Sequence, residues 1–241
     1  MDKVKNKNSV KKITEFYELE WNQSSNSIKS LKRIEADSDA IQSLNLEKKS
    51  TLLEIGCGMG GNAVRMAESG ARIVLVDLSF SALSNLKLKR ILSNRVNYVC
   101  ADAHRLPFRK NVFDRLAVFS VLMFLDLKIV FKDFSRVMKP GARFAFVEPI
   151  RGNPFIFFIR FLRKRYRGMA NWYSEKELVR KCVVFYSEMK IDYYYLFPGF
   201  VMLKNGILRQ IFMRTEKILF NTIPFSRRFA WVICIKGKVN D

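Results

Sequence analysis

Short apolar runs alternate with helical patterns between residues 50 and 150. Each run is apolar on both faces, which is typical of strands in a parallel sheet that is covered on both sides. The segments between the runs have helix start and stop signals, such as Ser79 at one start and Lys139-Pro140-Gly141 after one end. We therefore predict a doubly wound α/β core, with strands at Thr51–Ile55, Arg72–Val76, Val96–Cys100, Leu116–Ser120 and Arg143–Val147 and helices at 61–69, 79–93 and 127–138.

Further helices and strands are predicted on both sides of this core. The pattern over 9–44 predicts one or two polar helices that carry scattered apolar residues: Phe16, Tyr17, Trp21, Ile28, Leu31 and Ile34. The Ser174-Glu175-Lys176-Glu177 segment is a capping-box pattern that opens a helix to about Cys182. An amphipathic helix is predicted over 200–221, and two more strands over Val184–Leu196, with an interruption, and Phe229–Ile235.

The composition suits one globular domain. With 241 residues, 49% hydrophobic and 13% aromatic, the chain can bury a sizeable core, which excludes disorder or a disulfide scaffold as the main organisation. We expect a single domain over 1–241. Its parts are N-terminal helices (1–48), a core that holds the site (49–150) and a later region (151–241).

The cysteines and the N-terminal residues favour a cytoplasmic protein. Cys57, Cys100, Cys182 and Cys234 form no C-x-x-C pair, so their spacing encodes no zinc or redox site. The first twelve residues are polar and charged, unlike a secretory signal. The longest uncharged stretches, Leu116–Leu125 and Tyr193–Leu203, are about half the length that a membrane span needs. If this protein meets a membrane, we expect it to lie on the inner face as a peripheral protein.

The charge is strongly positive. The chain has 43 Lys+Arg against 22 Asp+Glu, a net charge of +21, which predicts an anionic partner. Residues 151–167 (RGNPFIFFIRFLRKRYR) mix phenylalanines with basic residues and contain no acid, as interfacial helices do. Three interpretations stay open: an anionic membrane surface, RNA phosphates, or a packed lid with solvated arginines.

A glycine-rich turn is the strongest local signal. It lies within LLEIGCGMGGNAVRMA, residues 52–67, where a strand ends at Ile55 and a helix follows. Backbone N–H groups at the start of such a helix face a ligand that lies above the strand ends.

Two classes of cofactor compete for this turn. Gly56, Gly58 and Gly61 fit the dinucleotide fingerprint, and Asp77 is placed to bind ribose hydroxyls. Glu54 separates the two classes, because a carboxylate two residues before the first glycine is poorly placed beside a pyrophosphate. It suits S-adenosyl-L-methionine, which has no phosphate and carries a sulfonium and an ammonium.

The ordered motifs resemble those of class I S-adenosylmethionine-dependent methyltransferases, in the type 11-like branch that acts on small molecules, quinones and lipids. The first motif, E-x-G-x-G-x-G, reads Glu54-Ile55-Gly56-Cys57-Gly58-Met59-Gly60. Four later features follow in that family's order: Val74–Ser79, Cys100–Ala103 with 106–108 and 113–114, Val118–Ser120, and Arg136–Phe144. The resemblance implies a Rossmann-like seven-stranded sheet with an antiparallel last strand, N-terminal helices and an inserted helical cap.

The resemblance also implies a set of site residues. Asp77 would bind the ribose hydroxyls and Asp102 the adenine amino group. The full cofactor set is Glu54, Gly56, Cys57, Gly58, Gly60, Asp77, Leu78, Asp102, Ala103, Phe119 and Ser120. The acceptor side and lid are predicted at Tyr17, Trp21, Met123, Glu148 and Phe155, and no metal is expected.

No catalytic base is required, since the sulfonium is already an activated methyl donor and alignment with exclusion of water can supply most of the acceleration. His104, two residues after Asp102, and Glu148, after the fifth strand, are candidate bases, each with a structural role as the alternative. We expect O- or C-methylation of a small or lipid-like acceptor, such as a quinone. An RNA-directed methyltransferase and an NAD(P)-binding oxidoreductase are the alternatives.

Overall fold

The protein forms a seven-stranded sheet with helices on both faces. The computed structural model describes residues 11–19, 34–88, 94–162, 169–199 and 206–240. The strands are β1 (Thr51–Ile55), β2 (Arg72–Asp77), β3 (Val96–Cys100), β4 (Phe113–Phe119), β5 (Met138–Pro149), β6 (Tyr186–Tyr194) and β7 (Val232–Val239). The helices are α1 (11–19), α2 (Ile34–Ser43), α3 (Gly61–Ala67), α4 (Phe80–Leu88), α5 (Leu127–Val137), α6 (Pro154–Leu162), α7 (Glu175–Cys182) and α8 (Gly206–Thr222).

The strand order is β3-β2-β1-β4-β5-β7-β6. Strands β1 to β5 are parallel, whereas β7 lies antiparallel between β5 and β6. The fold predicted from the sequence, with its antiparallel last strand, is confirmed. The C-terminal ends of β1 to β5 meet at one side of the sheet, called the carboxyl edge below. Ligands of doubly wound folds bind at this edge.

Each face of the sheet has its own apolar core. On one face α5 places Val130, Phe131 and Phe134 at helical spacing against the strands, where Phe131 stacks on Phe146 with ring centroids 5.5 Å apart. The other face is covered by α2, α3, α4 and α6, with Ala40, Met66, Leu86 and Ile156 among the buried residues. This two-sided burial is the reason that the strands are nearly continuous apolar runs.

Polar side chains of α2 bond residues of α8 and of the end of β6. Arg209 of α8 pairs with Glu35 at 2.5 Å, and the Tyr195 hydroxyl donates to the same carboxylate at 3.0 Å. The Tyr194 hydroxyl donates to Asp39 at 2.6 Å. Some of the polar residues of α2 therefore bind it to other elements of the fold, and others face solvent.

Several predicted boundaries needed correction. Strand β4 is Phe113–Phe119, so it begins three residues before its predicted start at Leu116. The helices predicted over 79–93 and 200–221 are described over Phe80–Leu88 and Gly206–Thr222, and their predicted parts at 89–93 and 200–205 lie outside the described residues. Strand β5 begins at Met138, five residues early, because Met138 pairs with Phe113 before a register shift. Strand β7 begins at Val232, three residues late, because Pro224–Phe229 form a 3-10 turn. The predicted interruption of β6 is confirmed by a register shift between Ser187 and Lys190.

No helix in the described ranges is long and apolar enough to span a bilayer.

Asn153 joins three segments near the start of α6. It is 2% exposed, and its Oδ1 accepts the Ile156 backbone N–H at 3.1 Å, which caps the helix. Its Nδ2 donates to the Leu196 carbonyl at 3.0 Å and to the Phe229 carbonyl at 2.7 Å. This one side-chain amide therefore joins the segment that follows β5 to two others: the segment that follows β6 and the segment that precedes β7.

Asn153→Asp should destabilise the protein by about 2 kcal/mol or more, because the new carboxylate, itself buried, keeps the helix cap but turns an acceptor toward two carbonyl oxygens. Denaturant unfolding at pH 7 measures the loss. Asn240→Asp is the matched control, since the Asn240 amide bonds the Val184 carbonyl at 3.3 Å in an exposed position and should change stability by less than about 0.5 kcal/mol. Equal effects of the two changes would contradict the role given to Asn153.

Candidate functional site

The turn after β1 depends on glycine. Gly56, Gly58 and Gly60 have φ of 70°, 49° and 73°, a left-handed region that side chains rarely adopt. Gly56 donates its N–H to the Val76 carbonyl at 2.7 Å, and a Cβ placed on it would lie 2.2 Å from Cγ2 of Val121. The turn therefore packs closely against both neighbouring strand ends.

Gly60 and Gly61 differ in a way that distinguishes the two cofactor classes. Gly60 is the left-handed N-cap of α3, and a Cβ there would lie 2.5 Å from Leu86. Gly61 has no positive φ, and a Cβ placed on it meets nothing within 4 Å. The third glycine of the dinucleotide fingerprint thus has no packing role, whereas all three glycines of the G-x-G-x-G pattern have the left-handed backbone.

Glu54 is a fully buried acid at the end of β1. It is 2% exposed, and no residue in the described ranges bonds its Oε2. Burial, and then the negative charges of Asp77 and Asp37, raise the pKa of Glu54 to about 8. A buried carboxyl with an unbonded oxygen and two acidic neighbours suits a cationic ligand group.

Asp77 supports the turn from β2. One carboxylate oxygen accepts the Gly58 N–H at 2.8 Å and the other accepts the Ser79 N–H at 2.9 Å. Burial raises the pKa of Asp77, while the N–H groups of Ser79 and Gly58 oppose that rise. The structure thus brings Glu54, the glycine turn and Asp77 together as predicted.

Asp37 is a member of this acidic group that sequence reasoning missed. It lies on α2, accepts a hydrogen bond from Asn62 Nδ2 at 3.2 Å, and its charge contributes to the raised pKa of Glu54. The polar pattern of this helix does not single out one acid among several. Only the docking of α2 against the sheet brings Asp37 near β1.

His104 connects the loops after β3 and β4. Its Nδ1 lies 2.7 Å from Asp102 Oδ1, and its Nε2 accepts the Asp126 backbone N–H at 3.1 Å. With Nε2 accepting, the proton lies on Nδ1 and is donated to Asp102. These bonds favour the structural alternative for His104, and they lower the pKa of Asp102 against the opposing effect of burial.

Glu148 shapes the loop after β4. It is 2% exposed, and its Oε1 accepts the backbone N–H groups of Val121 and Leu122 at 2.7 and 2.8 Å. Just before this loop, Ser120 has a φ of 59° and donates its N–H to the Val147 carbonyl. The bonds of Glu148 also favour its structural alternative over a role as base.

Helix α1 lies over the carboxyl edge. Tyr17 makes an edge contact with Phe124, ring centroids 5.8 Å apart, and Glu18 accepts the Ser81 N–H at 3.4 Å. The helix therefore reaches both the loop after β4 and the start of α4. This position suits the lid predicted at Tyr17, whereas Trp21 lies outside the described residues.

The remaining predicted residues fall into two groups. Phe155 lies outside the site: it is 55% exposed on the outer side of α6, and its neighbour Ile156 packs inward instead. The others are buried or half-buried near the strand ends of the carboxyl edge: Cys57, Leu78, Ala103, Phe119 and Met123. The described residues contain no group of three metal-ligating side chains.

The sheet order, with its antiparallel last strand, is that of the class I methyltransferase fold. Residues 53–146 match the family model of the methyltransferase domain. Over these residues the family predicted from the motifs is confirmed: they form a methyltransferase domain.

Relatives with assigned activities match part of this chain. The sterol 4-C-methyltransferase of Caenorhabditis elegans is 31% identical over 118 residues, 47% of this chain and 35% of that protein. The demethylmenaquinone methyltransferase of Corynebacterium urealyticum is 33% identical over 107 residues, 44% of each chain. The chain thus spans less than half the length of either relative.

Solved structures share the fold over nearly the whole chain. Geranyl diphosphate C-methyltransferase from Streptomyces coelicolor, in complex with Mg²⁺, geranyl diphosphate and S-adenosyl-L-homocysteine, has a TM-score of 0.64 at 16% identity and covers 94% of this chain and 97% of its own. Phosphoethanolamine N-methyltransferase 2 from Haemonchus contortus has a TM-score of 0.66 at 17% identity, with 94% and 57% covered. At these identities the likeness shows the fold alone.

Gly61→Ala should leave both folding and binding of S-adenosylhomocysteine near wild type, whereas Gly60→Ala should impair both. The difference follows from the left-handed backbone and the Leu86 contact at Gly60, neither of which exists at Gly61. Thermal unfolding and calorimetric titration of the two variants measure the effects. If Gly61→Ala removed binding from a stable protein, the ligand would lie against Gly61, which would contradict the roles given to the two glycines.

Glu54→Gln should stabilise the ligand-free protein at pH 8 and leave its stability at pH 4.5 or below close to wild type. The raised pKa of Glu54 means that, between about pH 4.5 and 8, the folded protein keeps a proton that the unfolded chain has lost. Wild-type stability therefore falls as pH rises through this window. Because Gln does not titrate, the variant does not lose this contribution to its stability.

Unfolding of both proteins at the two pH values measures this effect. Glu47→Gln, which alters an exposed acid, is the matched control; it retains Glu54 and should follow the wild type at both pH values. An equal difference between wild type and Glu54→Gln at both pH values would mean that Glu54 is not the group that titrates.

Proposed function

We propose that this protein transfers a methyl group from S-adenosylmethionine to oxygen or carbon of a small, lipid-like acceptor. One observation carries the proposal: a turn of three left-handed glycines lies beside a buried acid, Glu54, whose Oε2 is bonded by no described residue. A ligand with a positive charge and no phosphate satisfies both features.

The residues present fit this cofactor. Glu54, with Asp37 and Asp77 nearby, would hold the ammonium and attract the positive charge as a whole. Asp77 would take the ribose hydroxyls and Asp102 the adenine. The glycine turn lets the backbone approach the ligand closely because no side chain intervenes. When bound, S-adenosylmethionine supplies the activated methyl group.

The remaining work of this chain is alignment and exclusion of water. Glu148 fixes the loop at Val121 and Leu122, which lies on the side predicted for the acceptor. Helix α1 covers the carboxyl edge through Tyr17. These restraints orient the two reactants and limit solvent access, which can supply most of the acceleration for an already activated donor.

The lipid-like class of acceptor is supported by two lines of evidence. The relatives are named for sterols and demethylmenaquinone, and a fold neighbour was solved with geranyl diphosphate. We assign selection of the acceptor to residues 151–221, where Ile156 packs into the core and Trp172 stacks against Arg160 with 3.6 Å from guanidinium to ring.

Calorimetry provides the test for the cofactor. S-adenosylhomocysteine should bind more tightly than NADH, and Asp77→Asn should weaken its binding about tenfold or more by loss of charge-assisted hydrogen bonds. Asp133→Asn is the matched control and should leave binding unchanged. Asp133 lies on α5 and accepts, at 2.7 Å, the backbone N–H of Leu106, a residue of the loop before β4. Tighter binding of NADH would overturn the proposal in favour of an oxidoreductase.

The acceptor class has its own test. Lipid and metabolite extracts from cells with and without the protein should differ by a product one methylene heavier, in an apolar fraction. Methylated RNA as the sole difference would replace this proposal with the RNA-directed alternative that the charge of +21 left open.

A further inference from the structure

We propose that six exposed phenylalanines beside the carboxyl edge dock this protein on a bilayer that contains anionic lipids. The phenylalanine surface consists of Phe155, Phe157, Phe158 and Phe161 on α6 and of Phe225 and Phe229 in the 3-10 turn after α8. The inference goes beyond the proposed function, because neither cofactor binding nor methyl transfer requires a membrane.

The outer side of α6 is apolar instead of polar. Its four phenylalanines are 55–74% exposed, and Leu162 is 62% exposed, while Ile156 packs inward. A surface helix of a globular protein normally turns polar residues outward. Contiguous exposed apolar residues of this kind mark sites where a protein meets a partner or a membrane.

The two parts of the surface are joined. Asn153, which caps α6, donates to the Phe229 carbonyl at 2.7 Å. Phe225 and Phe229 make an edge contact with ring centroids 5.5 Å apart. The start of α6 and the turn that carries Phe225 and Phe229 are therefore adjacent.

The charges beside this surface complement an anionic bilayer. Along Gly206–Phe229 the exposed ionic side chains are all cationic: Arg214, Lys217 and Arg228. The only acid of this stretch, Glu216, is turned inward and accepts the N–H groups of Tyr195 and Phe197. Apolar anchors beside cations are the pattern of interfacial segments.

Docking in this way would bring the site close to the source of a lipid-like acceptor. Helix α6 begins only five residues after the end of β5, at the carboxyl edge. On its inner side Arg160 stacks on Trp172, and the adjacent Asn171 donates to the Met123 carbonyl at 2.6 Å. A short chain of contacts thus leads from the phenylalanine surface to the residues predicted on the acceptor side.

Vesicle sedimentation of the full chain tests the proposal. Vesicles of phosphatidylcholine with phosphatidylglycerol should bind the protein, pure phosphatidylcholine vesicles should bind it less, and added salt should weaken binding by screening. The double change Phe157→Ser with Phe158→Ser should weaken binding at least tenfold by loss of apolar burial. Val184→Ser, a 64% exposed apolar site at the opposite edge of the sheet, should have no effect.

A second pair of variants tests the charge. Arg214→Gln with Lys217→Gln should weaken binding about fivefold for each charge, on the order of 1 kcal/mol. Arg109→Gln with Lys110→Gln removes two exposed charges at the opposite edge and should weaken binding much less. Equal losses for the two pairs would mean that net charge alone attracts the protein, and would overturn docking through this surface.

Three other results would overturn the proposal. One is failure of the folded wild type to sediment with anionic vesicles at low salt. Another is preference for RNA over vesicles with no effect of the serine changes. The third is a shift from dimer to monomer on the serine changes in the absence of lipid, which would assign the surface to a second copy. The serine variants should still bind S-adenosylhomocysteine, so failure of docking is separable from failure of the proposed function.

Discussion

Glu54 lies buried beneath the turn that its own strand leads into, and most of the site follows from this arrangement. A buried acid among other acids is costly unless a cation meets it, so the ligand-free protein holds Glu54 with a pKa of about 8. The turn beside it must bend left-handed at Gly56, Gly58 and Gly60. The buried acid and the left-handed turn therefore both lower the stability of the ligand-free protein at the same place. A positively charged ligand bound there would offset that loss.

Helix α2 contacts α8 and contributes a charge to the acidic group. Asp37 of α2 helps to raise the pKa of Glu54, and two residues earlier on the same helix Glu35 pairs with Arg209 of α8. Helix α8 leads into the turn that carries Phe225. One helix outside the glycine turn thus links the buried acid with the segment before β7.

The sequence was most informative where local pattern and tertiary burial agree. Strands β1 and β3 match their predicted bounds because runs buried on both faces have clear ends. The prediction for β7 began too early because Phe229 and Trp231 have high strand propensity, whereas the proline at 224 starts a 3-10 turn. The glycine turn, Glu54 and Asp77 were predictable from spacing. Asp37 was not, since its proximity to Glu54 arises only when α2 docks on the sheet.

The antiparallel strand has a consequence for the order of assembly. Strand β7 is the last strand in sequence, yet it pairs with both β5 and β6, and β6 pairs with no other described strand. During synthesis, the five parallel strands and the glycine turn can therefore form while β6 still has no place in the sheet. Strand β6 joins the sheet only after Val232–Val239 leave the ribosome. A nascent chain can thus form the glycine turn and its buried acid before the sheet is complete.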